Sequence, residues 1–124
     1  MTKLDNPCHT YVEDLFANLG RIRIRKMFGG AGVYSGDDMF ALIDKDRVYV
    51  KSDDLLKADL ESEGGEAFEW TNPNTGKTIQ MSYVSLPLNA LDARDEASAW
   101  GRKAIDVAIQ ARRAKVKSPR RMTF

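Results

Sequence analysis

Over residues 7–19 the apolar positions Tyr11, Val12, Leu15, Phe16 and Leu19 recur every three or four residues, the stripe of an amphipathic helix. Asn6 and Pro7 suit its start, Asn by capping free N–H groups and Pro by tolerating the first helical position. Gly20 suits its end. At Arg21 the period drops to two, with Ile22, Ile24 and Lys26 on one side and Arg21, Arg23 and Arg25 on the other. Met27 and Phe28 lead into Gly29, Gly30 and Gly32, where a chain bends, bulges or reverses without Cβ clashes. Val33 and Tyr34, then residues 39–43 and 47–51, read as strands joined by tight turns at 35–38 and 44–46.

A second helix follows, capped by Ser52 or Asp53, carrying Leu55, Leu56 and Leu60 on one face and ended by Gly64 and Gly65. Residues 67–70 and 77–84 form a strand pair around the turn chemistry of Asn72, Pro73, Asn74, Thr75 and Gly76. Alternation of Met81, Tyr83 and Ser85 with Gln80, Ser82 and Val84 predicts one buried face, and Pro87 ends the sheet. A last helix begins near residues 92–95 and runs to about Lys115, with Ala97, Trp100, Ala104, Ala108 and Ala111 inward. Gly101 beside Trp100 predicts close approach of that helix to the sheet. The order α-β-β-β-β-α-β-β-α with short turns predicts an α+β fold: an antiparallel sheet of five to six strands with helices packed on one face.

At 124 residues this reads as one domain over 1–116 with a basic, flexible tail over 117–124. Neither a signal sequence nor a membrane-spanning run is legible, and the single cysteine, Cys8, offers neither disulfide nor metal cluster, so a cytoplasmic location is expected. Charge changes the picture more than composition does. Up to residue 100 there are 11 basic and 17 acidic residues, a net −6; beyond it 8 basic residues face one acid, a net +7. Arg21, Arg23 and Arg25, together with Arg112, Arg113, Lys115, Lys117, Arg120 and Arg121 of the C-terminal arm, are therefore candidate contacts for nucleic acid or an acidic partner.

Catalytic patterns are weak. Adjacent Cys8 and His9 diverge on a helix, which predicts a partly buried Cys8 and an exposed His9 instead of a nucleophile–base pair. Asp37-Asp38, Asp44/Asp46 and Asp53-Asp54 sit where carboxylates cap turns and helix starts, so no metal is expected. Gly76-Lys77-Thr78 imitates the end of a phosphate-binding loop, but Thr71 stands where its first glycine belongs and a strand follows. The glycines after Phe28 read as chain geometry, the alternative being an anion cradle. Trp70, Tyr83, Trp100, Phe28 and Phe40 are expected in the core; exposed together, several of them would mark a protein interface.

The strings R-K-M-F-G-G-x-G-V-Y from Arg25, F-A-L-I from Phe40, V-Y-V-K from Val48, M-S-Y-x-x-L-P from Met81 and W-x-R-K-A from Trp100 resemble, in collinear order, the TfoX N-terminal domain family. Met27, Phe28, Gly29, Gly30, Gly32, Tyr83, Pro87 and Trp100 carry the resemblance. It implies a fold similar to that of bacterial secretion chaperones, no cofactor, no catalytic residues, and kinship with regulators of natural competence. The expected function is a stand-alone, non-enzymatic regulatory or interaction domain acting through a protein partner, with a homodimer open. The alternatives are weak nucleic-acid binding through the basic strand and tail, and a small-molecule-binding or enzymatic domain using a pocket edge near residues 29–32 and Tyr83.

Overall fold

The computed structural model describes the backbone of residues 7–27 and 30–122 and the side chains of residues 9–26 and 30–114. Met27 as a side chain, and Phe28 and Gly29 altogether, lie outside these, as do the side chains of Cys8, Lys115, Lys117, Arg120 and Arg121.

Helix α1 spans Pro7–Leu15, and a 3₁₀ turn at Ala17–Leu19 continues it. Val12, Leu15 and Phe16 are buried, as their spacing requires, while Tyr11 lies at the surface and donates its hydroxyl proton to the Leu91 carbonyl. Four strands follow: β1 (Arg23–Met27), β2 (Gly30–Ser35), β3 (Asp38–Asp44) and β4 (Arg47–Lys51). Helix α2 (Asp54–Ser62), the hairpin β5 (Ala67–Thr71) and β6 (Thr78–Ser85), a 3₁₀ turn (Leu88–Asp92) and helix α3 (Arg94–Met122) complete the order. All strands join one antiparallel sheet, β1-β2-β3-β4-β6-β5. The predicted α+β class and element order are observed.

The helices share one side of the sheet. Val33, Ala41, Ile43, Val48, Val50, Val84 and Leu86 meet Val12, Phe16, Leu56, Leu60, Ala97, Ala104 and Ala108 there in one core. A register shift at Val33/Tyr34 makes Phe40 an extra residue in β3, so Phe40 and Ala41 both turn inward, and the Phe40 ring meets Phe16 edge-on at 5.3 Å. Asp53 caps α2 by accepting from the Leu56 N–H at 2.9 Å. Gly64 (φ 101°) ends it in a left-handed conformation that a glycine adopts without strain.

Several expectations fail in instructive ways. Leu55, expected on the packed face of α2, is 78 % exposed, because the helix buries only the Leu56/Leu60 edge. Ala111 is exposed, on the rim of a hollow that it lines with Lys51, Ser52 and Ser82. Gly101 faces α1 instead of the sheet: a Cβ there would stand 2.8 Å from Leu19 Cδ1 and 3.2 Å from Phe16 Cε1. Residues 78–82 of β6 are exposed, whereas Tyr83, Val84 and Ser85 are all buried, so both faces are covered at one end and neither at the other. Trp70 is at the surface, not in the core. The helix α3 continues over residues 117–122 of the basic arm.

Candidate functional site

The register places the side chains of Tyr34, Met39, Leu42, Tyr49, Tyr83 and Trp70 on the sheet face that no helix covers. Leu42, Tyr49 and Tyr83 are nonetheless buried there, in a second, smaller cluster with Met39 and Phe68. What covers them is the β5–β6 hairpin: Phe68 lies in a second register shift and packs its ring 5.0 Å from that of Tyr49. The hairpin thus forms a wall, and beside it runs an open groove of about 480 Å³. Its floor is Met39 and Leu42, its wall Phe68, Trp70, Met81 and Tyr83, and its far end the backbone of Gly30 beside Asp44.

This groove is apolar and partly unfilled. Trp70 (42 % exposed), Met81 (38 %) and Ile79 (50 %) crowd the hairpin side as one patch. Burial, with the nearby Tyr34 phenol adding to it, pushes the Tyr83 hydroxyl up to about 12. Tyr83 is therefore neutral at physiological pH and adds its phenol ring to an apolar wall. The Asp44 carboxylate forms no hydrogen bond or ion pair among the described residues.

Gly30 owes its identity to backbone proximity. A Cβ there would come 2.1 Å from the Ile43 carbonyl oxygen, closer than any side chain tolerates, so the β2–β3 pairing at that point requires glycine. Gly32, next on the open face, pairs with Leu42 on one side and Arg25 on the other. Gly29, and with it the question of a cradle for an anion over 29–32, lies outside the described residues.

Cations stack on the open-face tyrosines. Arg23 lies over the Tyr34 ring at 5.2 Å, Arg47 over Tyr49 at 5.5 Å and Lys51 over Tyr83 at 5.2 Å. Arg47 also pairs with Glu66 at 3.2 Å and reaches Ser85 Oγ. Arg21 and Arg25 are exposed at the edge strand, and neither forms a hydrogen bond or ion pair among the described residues. Arg23 adds one 3.3 Å bond to the Gly36 carbonyl.

Of the basic-arm candidates with described side chains, Arg113 is exposed, but Arg112 is engaged. Its guanidinium grips Asp38 through Nε at 2.7 Å and Nη2 at 3.2 Å, tying α3 to the β2–β3 turn and raising its pKa above the ordinary arginine value. Arg23 and Arg112 thus approach the same turn from opposite sides of the sheet. Pro87 is buried just past β6, and Trp100 is half-buried on α3 with Lys103 over its ring at 5.2 Å.

Acidic pairs stay apart. Asp38 holds Arg112, Asp53 caps α2, and Asp46 shares a left-handed turn with Lys45. Among the described residues no group of three or more metal-ligating side chains forms. His9 is partly buried instead of exposed. Gly76 lies in the β5–β6 turn and Thr78 opens β6, so Gly76-Lys77-Thr78 belongs to a hairpin. The pocket edge expected near residues 29–32 and Tyr83 falls on this groove, which Gly30, Ala31 and Tyr83 line, but sequence reasoning missed Leu42, Phe68, Trp70 and Met81, ordinary apolar positions until pairing sets which face each one takes. No helix among the described residues is long and apolar enough to cross a membrane.

The TfoX N-terminal domain family model matches residues 14–108. Over 80 residues the chain is 35 % identical to "DNA transformation protein TfoX1" of Aliivibrio fischeri (strain ATCC 700601 / ES114), a match covering 61 % of this chain and 38 % of that protein. The chain thus spans well under half the length of that relative.

Proposed function

The chain belongs to the TfoX N-terminal domain family, and from that premise we propose that it is a regulatory domain that works by binding, not by catalysis. Its contact surface is the helix-free sheet face. The observation that carries this reading is the apolar groove with Trp70, Ile79 and Met81 exposed together beside it. A patch of that kind marks an interaction site on a folded domain. The similarity to a DNA transformation protein supports a role in the control of DNA uptake. Deleting the gene in its source organism is expected to change transformation frequency at least tenfold. The wild-type chain restores it, and a Trp70→Ser/Met81→Ser double variant, folded by circular dichroism, does not. Unchanged transformation in the deletion strain counts against the regulatory role; full rescue by the double variant counts against the surface.

Nucleic-acid contact is the second reading, favoured by the meeting of Arg23 and Arg112 at the turn holding Gly36 and Asp38. Asp37 and Asp38 occupy that same turn and oppose a phosphate there. A duplex-DNA shift that disappears between low and moderate salt supports it, and no shift at low salt removes it.

A further inference from the structure

The groove is framed by charge that its lining does not account for. Among the described residues, the register directs Arg23, Arg25, Arg47 and Lys51 to the open face, against Asp44 there and Glu66 beside it. The acidic residues of the three helices lie on the other side of the sheet, and of the turn acids Asp37 lines the edge beside Arg21, Arg23 and Tyr34, where the two arginines outnumber it. A chain that is net −6 up to residue 100 therefore presents a cationic sheet face.

The cations differ in how they are held. Arg47 is committed to Glu66 and Ser85, and Lys51 to Ser82 and the Tyr83 ring. Arg25 has no hydrogen-bonding or ionic partner among the described residues, and Arg23 has one long bond to a carbonyl. Along one row of the sheet Arg25 pairs with Gly32 and Gly32 with Leu42. Because Gly32 has no side chain, nothing from β2 stands between the arginine and the groove floor. Two strand spacings, roughly 10 Å, separate them, which about three residues of extended chain span.

We infer that the groove takes an acidic, aromatic-bearing segment of a partner protein. An aromatic or long aliphatic side chain sits on Met39 and Leu42 against Phe68, between Trp70 and Met81, and carboxylates about three residues away pair with Arg25 and Arg23. This rests on the binding reading above and specifies its occupant. Asp44 fixes the direction: its bare carboxylate repels acids at the Gly30 end, leaving the β1 side for them. A nucleic acid fits less well, because its regularly spaced phosphates would run past the Asp44 carboxylate, whereas a peptide can place its acids on one side alone.

The test uses a fluorescein-labelled peptide with two phenylalanines flanked by glutamates, set against the same peptide with glutamine at each glutamate, and fluorescence anisotropy as the readout. The glutamate peptide is expected to bind at least tenfold more tightly at low salt. Arg23→Glu/Arg25→Glu removes that preference by weakening the glutamate peptide at least tenfold, and Trp70→Ser weakens both peptides. Equal binding of the two peptides overturns the acidic occupant and leaves the groove standing as a contact surface. Binding of both that is indifferent to Trp70→Ser and Met81→Ser overturns the groove reading itself. Light scattering that shows a dimer dissociated by Trp70→Ser, with neither peptide bound, assigns the face to a second copy of the chain and overturns the proposal.

Discussion

Gly30 shows how a single missing side chain shapes both the sheet and its groove. Its backbone lies so close to β3 that a Cβ would meet the Ile43 carbonyl oxygen at 2.1 Å, and neither backbone strand can retreat without breaking the ladder. Gly30→Ala is therefore expected to destabilise the fold by about 3 kcal/mol, the upper end of ordinary overpacking costs. Urea unfolding measures it, and a loss below about 0.5 kcal/mol would mean that the strands part easily there. Tyr83 makes the same face sensitive to alkali. Its folded pKa of about 12 lies above the ordinary tyrosine value of 10.0, so the unfolded chain releases the phenolic proton first. Between pH 10 and pH 12 the unfolded state binds fewer protons than the native one, and stability falls with rising pH. Below pH 10 the contribution is complete. Tyr83→Phe is expected to flatten this part of the pH profile of the urea midpoint; an unchanged alkaline slope would show that Tyr83 is not what responds there.

Elements carry the next layer of explanation, and the β3–β4 hairpin is its clearest case. Lys45 (φ 50°) and Asp46 (φ 63°) both occupy the left-handed region, the geometry of a two-residue turn whose twist matches its strands. Neither is the glycine that such a turn favours at its second position. Asp46→Gly is expected to stabilise the domain by about 1 kcal/mol through relief of that conformation, and thermal unfolding checks it. The turn itself was legible from Asp44-Lys45-Asp46, just as α2 was legible from Asp53 and Gly64. Helix and strand order follow from such local chemistry, because caps, turns and periodicity act over four or five residues. Face assignment does not. The register shift at Val33/Tyr34 decides that Phe40 turns into the helical core, whereas Phe68 faces away from it by the ordinary alternation of β5 with Ala67 and Glu69. No alternation within β3 announces that shift, and only the pairing of β5 with β6 shows that Trp70 takes the face without helices, so Trp70 reads as core in the sequence and stands at the surface in the fold. The engagement of Arg112 was hidden for a similar reason: its partner Asp38 lies 74 positions away.

At the scale of the whole molecule the two faces of the sheet do different work. The helical side is closed, with Phe16, Phe40, Leu60 and Val50 fully buried, and Leu60→Ala is expected to cost 2–5 kcal/mol, roughly the range for a buried leucine. The other side is half-closed by the β5–β6 hairpin and keeps Trp70, Ile79 and Met81 partly in solvent. If these side chains were retained for stability, replacing them would cost about as much as a core truncation. If they form a contact surface, their removal changes recognition far more than folding. Changing Trp70, Ile79 and Met81 singly to serine or threonine is therefore expected to shift the unfolding free energy by less than about 1 kcal/mol each, since exposed side chains contribute little when truncated. The same changes should lower the fluorescence of a dye that reports exposed apolar surface. Urea unfolding and dye titration on each variant together decide the matter. Losses matching Leu60→Ala would make the groove a feature of packing, whereas small losses with diminished dye binding would leave it as an apolar surface open to contact.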